Sequence, residues 1–136
     1  MSFAMSGPLQ KAVYDALIAD SVLGAIVGSA IYDAVPTGTL PLIYVRLGSE
    51  EVKDASDVSG SGAVHRFTVS VITSGPGFAQ AKEAAAAISD VLHDGHLTMT
   101  RGRLVGLRFE RAKAVRVEAA ATRQIDLRFA ARVQDD

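Results

Sequence analysis

Apolar and polar residues alternate along two stretches of the chain, VHRFTVSVIT at 64–73 and QIDLRFAARV at 124–133. Strict alternation is typical of a β-strand with one buried face, because successive side chains point to opposite sides of a sheet. A third strand is indicated at 42–47 by LIYVRL, whose residue types pack well on a pleated surface. The run from 103 onward alternates less regularly, and its change of phase predicts a β-bulge or a strand end near Arg111.

Two further stretches carry apolar residues at spacings of three and four, the period of an amphipathic helix. One follows a Gly-Pro pair and covers 9–17, and Asp20 can cap a short second helix after it. The other follows the break SGPG at 74–77, which offers a helix cap, and extends over 78–92. The combined pattern predicts an α+β fold, with a mainly antiparallel sheet of about four strands, one long helix packed on one face and an N-terminal helix alongside.

The chain of 136 residues is long enough to bury a hydrophobic core without disulfide bonds. We therefore predict a single domain over 1–136, with a helical approach at 8–27 and a sheet-and-helix core at 42–134. It contains no cysteine, which excludes a disulfide scaffold and a cysteine metal site. No apolar run approaches the roughly 18 residues of a membrane span, and the first ten residues lack the pattern of a signal peptide. We expect a protein assembled in the cytosol, with no membrane partner.

The net charge of −1 hides a marked difference between the two parts of the chain. Residues 1–100 hold five basic and ten acidic side chains, whereas residues 101–136 hold nine basic and five acidic ones. Opposite surface charge would let one copy meet the next in a heterologous contact that closes into a ring. The alternative is that solvated strand faces are simply rich in arginine.

The basic residues at 101–116 are the best candidates for contact with nucleic acid. Few aromatic residues occur in the chain, and none is interleaved with these arginines as a stacking platform requires. We therefore do not predict sequence-specific binding. Non-specific repulsion or steering of DNA through a pore is compatible with these residues.

Residue types that could carry catalysis are present but lack the required spacing. The three histidines, His65, His93 and His96, do not follow the spacing of a metal site such as HExxH. Ser89, His93 and Asp94 lie near one another in sequence, but no Gly-x-Ser-x-Gly elbow surrounds the serine. The sequence therefore predicts no catalytic residue, cofactor or metal.

Five segments in this order resemble the tail-terminator (tail-completion) proteins of long-tailed phages and of gene transfer agents, a family long described as a domain of unknown function. They are LQKAVYDALIAD, IYDAVPTGTLPLIYVRLG, HRFTVSVITSGPGFAQAKEAAAAISDVLHD, LTMTRGRLVGLRFERAKAVR and IDLRFAARV. The resemblance covers nearly the whole chain. No single segment is specific to this family, so the resemblance rests on the five segments together.

The resemblance implies a non-enzymatic ring, usually of six subunits, at the head-proximal end of the tail tube. Such a ring stops tube growth and joins the tail to the head connector. The implied partners are further copies of the chain, the tail tube protein and a head-completion or stopper protein, with DNA only as non-specific cargo. The implied location is the tail or neck of a virion or phage-like particle assembled in bacterial cytoplasm. The alternatives are a neighbouring neck protein, such as a stopper or adaptor, or a small unrelated α+β binding module.

By analogy with the family's position at the tube end, we expect a contact with the tube or with a neighbouring subunit at the strand extension 49–54 and the mobile loop 54–63. The contact residues in this extension would be Ser49, Glu50, Glu51, Val52, Lys53 and Asp54. We expect the polar face of the sheet to form a ring wall or to face the lumen, through Arg66, Arg108 and Arg128.

Overall fold

The computed structural model describes residues 3–56 and 60–135. Those residues form three α-helices, one 3₁₀ helix and five strands. In chain order the elements are α1 (Ser6–Ala19), α2 (Ser21–Val27), β1 (Ile31–Tyr32), β2 (Ile43–Asp54), β3 (Gly62–Thr73), α3 (Ala79–Leu92), β4 (Arg103–Val117), the 3₁₀ helix (Glu118–Ala120) and β5 (Thr122–Gln134).

The strands form one mixed sheet in the order β1-β2-β3-β5-β4. The expectation of about four antiparallel strands is therefore wrong in one respect. A two-residue strand, β1, extends the sheet and runs parallel to β2, where the Val45 amide donates to the Ala30 carbonyl at 2.9 Å. Two residues carry no periodicity, so the sequence pattern could not indicate this pairing. The other neighbours are antiparallel, as predicted.

Two helices, α1 and α3, have 14 residues each, so the expectation of one long helix is also wrong. Their buried residues join the inward-facing strand residues in one core, which places both helices on the same side of the sheet. Asp20 caps α2 as predicted, because its carboxylate accepts from the Leu23 amide at 2.9 Å. No α-helix in the described part of the chain is long and apolar enough to cross a membrane.

The start of α3 does not use the predicted cap. The helix begins at Ala79, and its N-cap residue, Phe78, makes no capping hydrogen bond through its side chain. Arg123 of β5 lies over the Phe78 aromatic ring at 5.6 Å and donates to the Gly75 carbonyl at 3.1 Å. A neighbouring strand therefore holds this turn in place of a local serine cap.

The hairpin between β2 and β3 is longer than predicted, because both ends of the expected loop 54–63 belong to strands. Asp54 pairs with Ala63 at the end of the ladder. The middle of the expected loop, 57–59, lies outside the described residues.

Two β-bulges interrupt the pairing of β4 with β5. One lies between Leu104 and Gly106, and the other lies between Phe109 and Arg111. The second confirms the bulge predicted near Arg111, and its extra residue is Glu110. A bulge changes the direction of a side chain, and this one brings a carboxylate onto the polar face of the sheet.

Candidate interaction surfaces

The face of the sheet opposite the helices carries the three arginines that the sequence singled out, and the structure groups them around Glu110. Arg66 of β3 donates through Nε to both Glu110 oxygens at 3.2 and 3.3 Å. Arg108 Nη2 and Arg128 Nε each lie 3.5 Å from the same carboxylate. One carboxylate thus holds three guanidinium groups together on three neighbouring strands, β3, β5 and β4.

This arginine cluster, defined as Arg66, Arg108, Arg128 and Glu110, keeps an excess of positive charge. Its three arginine side chains are between 32% and 61% exposed, so solvent or an anionic partner can reach them. Exposed ion pairs contribute little to stability, about 0–1 kcal/mol each. The cluster can therefore position charge for an intermolecular contact more than it stabilises the fold. The sequence did not indicate that Glu110 lies at its centre, because the bulge that turns it there was located only approximately.

The strand extension 49–54 presents two different sides. Ser49, Glu51, Lys53 and Asp54 are exposed, whereas the other two residues are partly buried. Val52 packs on a small cluster formed by Met5, Ala63 and Val133. Only part of the predicted contact segment is therefore available to a partner.

Glu50, the other partly buried residue of this extension, binds inside the subunit. One carboxylate oxygen accepts from the Ser6 hydroxyl of α1, and the other lies 3.0 Å from His65 Nδ1 of β3. A carboxylate only accepts, so Nδ1 carries the proton of that hydrogen bond. His65 is fully buried, and its Nε2 has no hydrogen-bond partner among the described residues. Ser6, Glu50 and His65 form a hydrogen-bonded triad that ties α1 to the β2–β3 hairpin.

The electrostatics of this triad favour an ionised Glu50. Burial by itself would raise the pKa of this carboxyl group, but the hydrogen bonds from His65 and Ser6 and the charge interaction with His65 hold the pKa below its ordinary value of 4.5. Sequence reasoning assigned Glu50 to a contact surface and His65 to no role. Their partners are distant in sequence, so no local pattern could have paired them.

Replacing Glu50 by glutamine should lower the free energy of unfolding by about 1–2 kcal/mol near neutral pH, because a hydrogen bond to a charged group is lost. The folded-state pKa is depressed, so the stabilisation is present above pH 4.5 and is lost as the pH falls through the folded pKa. The difference between the two proteins should therefore shrink in acid. Urea unfolding between pH 3 and pH 8 measures it.

Glu51→Gln is the matched control, since Glu51 is the next residue of the same strand and is exposed. Its substitution should change stability by no more than about 0.5 kcal/mol. Equal losses for Glu50→Gln and Glu51→Gln, or a loss that does not depend on pH, would contradict the role of the triad.

The other two histidines lie apart from this site. His93 ends α3, and its Nδ1 accepts the backbone amide of Phe109 at 3.0 Å, while Nε2 lies 3.4 Å from Asp94. His96 is exposed in the following segment. Among the residues that the structure describes, no group of three or more acidic, histidine or cysteine side chains could hold a metal ion. His93 thus acts as a link between the end of α3 and the edge of β4.

Two comparisons with known proteins agree with each other. The model of the family described as tail completion protein gp17 matches residues 11–134. Among solved structures, a chain from "Virion of native gene transfer agent (GTA) particle" is 61% identical and superimposes with a TM-score of 0.92. The likeness covers 98% of this chain and 99% of that chain. A search among curated proteins found no match.

Proposed function

The chain belongs to the tail completion protein gp17 family and is therefore a tail structural protein; on this premise we propose that it forms a ring at the head-proximal end of a tail tube. The ring ends polymerisation of the tube and offers a joining surface to the head connector. The proposed role is structural and does not include catalysis.

The likeness to a chain of a native GTA virion, over nearly the full length of both chains, carries this proposal. It supports a place in the tail or neck of a phage-like particle assembled in bacterial cytoplasm. We treat residues 1–136 as one tail-terminator-like domain. The proposed partners are further copies of the chain, usually six in the ring, the tail tube protein and a head-completion or stopper protein.

The two surfaces receive roles that follow from their exposure and charge. We assign contact with the tube or with a neighbouring subunit to the exposed residues of the strand extension, Ser49, Glu51, Lys53 and Asp54. We assign the ring wall or lumen to the arginine cluster, where positive charge meets DNA that passes as non-specific cargo. Glu50 and Val52 support the extension from inside the subunit.

Co-assembly with the tail tube protein tests the proposed function. Adding the purified chain to polymerising tube protein should shorten the tubes and leave a ring at one end of each, visible by negative-stain electron microscopy. Tube protein alone and tube protein with a denatured sample are the controls. Light scattering on the chain alone shows whether a ring already closes without the tube.

Tubes of unchanged length without end rings would overturn the proposal. Binding to the head connector with no effect on tubes would instead assign the chain to an adjacent neck position, as a stopper or adaptor. A monomer that binds neither partner would overturn both the terminator and the stopper or adaptor assignments.

A further inference from the structure

The sheet has an open edge on each side, and each open stretch is about seven residues long. On one side, β1 pairs only with Val45 and Arg46, so no described strand pairs with the outer side of β2 from Leu47 to Lys53. On the other side, β4 is the edge strand. Exposed edge strands present unpaired backbone groups that another strand can bind.

Part of the β4 edge is already covered from within the subunit. The Leu107 carbonyl accepts from the Asp94 amide at 2.8 Å, and the Phe109 amide donates to His93 at 3.0 Å. The segment after α3 therefore closes the first half of this edge. The stretch 111–117 is the open half, because no described strand pairs with its outer side.

The two open stretches differ in charge. The β4 stretch holds Arg111, Lys113 and Arg116 with no acidic residue, and all three are exposed. The β2 stretch exposes Glu51 and Lys53, while Glu50 is bound inside the subunit. Two β4 edges would therefore repel each other, which favours a heterologous contact of β4 with the β2 edge of another copy over a symmetric contact of β4 with itself.

Strand directions and faces are compatible with this contact. Because β2, β3, β5 and β4 alternate in direction, the β2 stretch of a second copy lies antiparallel to β4 when the two copies are related by rotation about an axis along the strands. The helices of both copies then lie on the same side.

The two open stretches are displaced from each other along the strand direction, and this displacement determines how far the strands must tilt from the ring axis. Residues 47–53 of β2 lie opposite 64–69 of β3, whereas residues 111–116 of β4 lie, through β5, level with 68–73 of β3. The stretches are thus displaced by about four residues, or about 13 Å along the strand. The four strand spacings from β2 of one copy to β2 of the next amount to about 19 Å. Aligning them in a ring requires a strand tilt of about 35°, close to the 35–45° of closed β-sheets.

The helix layer provides a complementary groove beside the open half of β4. It is lined by small side chains of α3 and β4, including Ala85, Ala86, Ala112 and Ala114. In each copy α1 lies against β2, where Leu9 and Val13 border Leu47 and Phe67. Adding β2 of a second copy to β4 would therefore bring its α1 toward this groove, and the alanines leave room for a close approach.

We propose that the ring closes by antiparallel pairing of residues 47–53 in one copy with residues 111–117 in the next. This inference rests on the proposed ring. Centring one stretch on the other places Glu51 opposite Lys113. Both side chains lie on the polar face of the sheet, because Glu51 pairs with Arg66 and Lys113 pairs with Asp126 within the subunit. Opposite charges across a strand pair stabilise the pairing.

Disulfide formation tests the pairing directly, because the chain has no cysteine of its own. The double variant Glu51→Cys, Lys113→Cys, assembled with tube protein and then oxidised, should give a ladder of covalent oligomers up to the full ring on a non-reducing gel. The control Glu51→Cys, Glu83→Cys pairs the same strand position with the exposed face of α3 and should give no ladder.

Exchange of the charges provides a second readout. Lys113→Glu should weaken each contact about fivefold and, repeated around the ring, remove most end rings. The double variant Glu51→Lys, Lys113→Glu should restore them. Circular dichroism shows that each variant is folded.

The outcomes separate this inference from the proposed function. Suppose that rings form at tube ends, but Glu51→Cys and Lys113→Cys do not cross-link and Lys113→Glu has no effect. That result would overturn the strand pairing, while the proposed ring would stand. Absence of any ring in the wild-type sample would overturn both.

Discussion

Replacing Phe129 by alanine is expected to lower the free energy of unfolding by about 3–5 kcal/mol, because it removes a large buried side chain and leaves a cavity. Phe129 is completely buried on β5. Its aromatic ring stacks on Phe67 of β3 at 5.7 Å and meets the edge of Phe109 of β4 at 5.9 Å. The substitution therefore weakens contacts across three strands at once. Urea unfolding followed by circular dichroism measures the loss.

The control for this variant is Phe3→Ala, which removes the same side chain from a position with 64% exposure. That substitution should change stability by no more than about 0.5 kcal/mol. Similar losses for Phe3→Ala and Phe129→Ala would contradict the assignment of Phe129 to the centre of the core. Since a domain is stable by only about 5–15 kcal/mol, Phe129→Ala should also reduce assembly through loss of folded subunits.

Replacing Gly102 by alanine is expected to cost at least about 2 kcal/mol, because two effects add. Gly102 has a φ of 59°, a left-handed conformation that L side chains adopt at a cost. A Cβ atom there would also lie 2.3 Å from the Gln134 carbonyl oxygen and 2.8 Å from Met5 Cε. Relief of the clash with Gln134 requires a backbone shift where β5 ends and β4 begins. Thermal unfolding measures the effect.

Gly77→Ala separates the two effects. Gly77 has a φ of 80°, but a Cβ atom there would meet no described atom within 4 Å. This control should show only the conformational cost, about 1 kcal/mol. The difference between Gly102→Ala and Gly77→Ala reports the clash, and equal losses would show that the strand ends move apart without resistance.

The sequence was informative wherever a local pattern decided the structure. The alternation of apolar and polar residues located β3 and β5, because one face of each packs against the helices. The change of phase near Arg111 located a real bulge. The capping hydrogen bond of Asp20 could be predicted from the sequence, because its donor, the Leu23 amide, is only three residues away.

Where distant residues decided the structure, the sequence was not sufficient. All but one of the residues in 49–54 are polar, so their pattern could not show that Glu50 turns inward toward Ser6 and His65. The separate parallel strand β1 depends on a partner more than ten residues away and has too few residues for a period. The carboxylate at the centre of the arginine cluster reaches its partners on β3 and β5 only through tertiary pairing of the strands.

We expect the pairing of β3 with β5 to be the slowest step of folding. The β2–β3 and β4–β5 hairpins join neighbours in sequence, and hairpins form in about 1–10 μs. Phe67 meets Phe129 only after the chain has passed through α3 and β4, and such non-local pairing takes roughly milliseconds to seconds. During that interval the unpaired edges of a new chain are exposed to other new chains. Repulsion between the basic residues at 111–116 of two such chains disfavours pairing of one β4 edge with another.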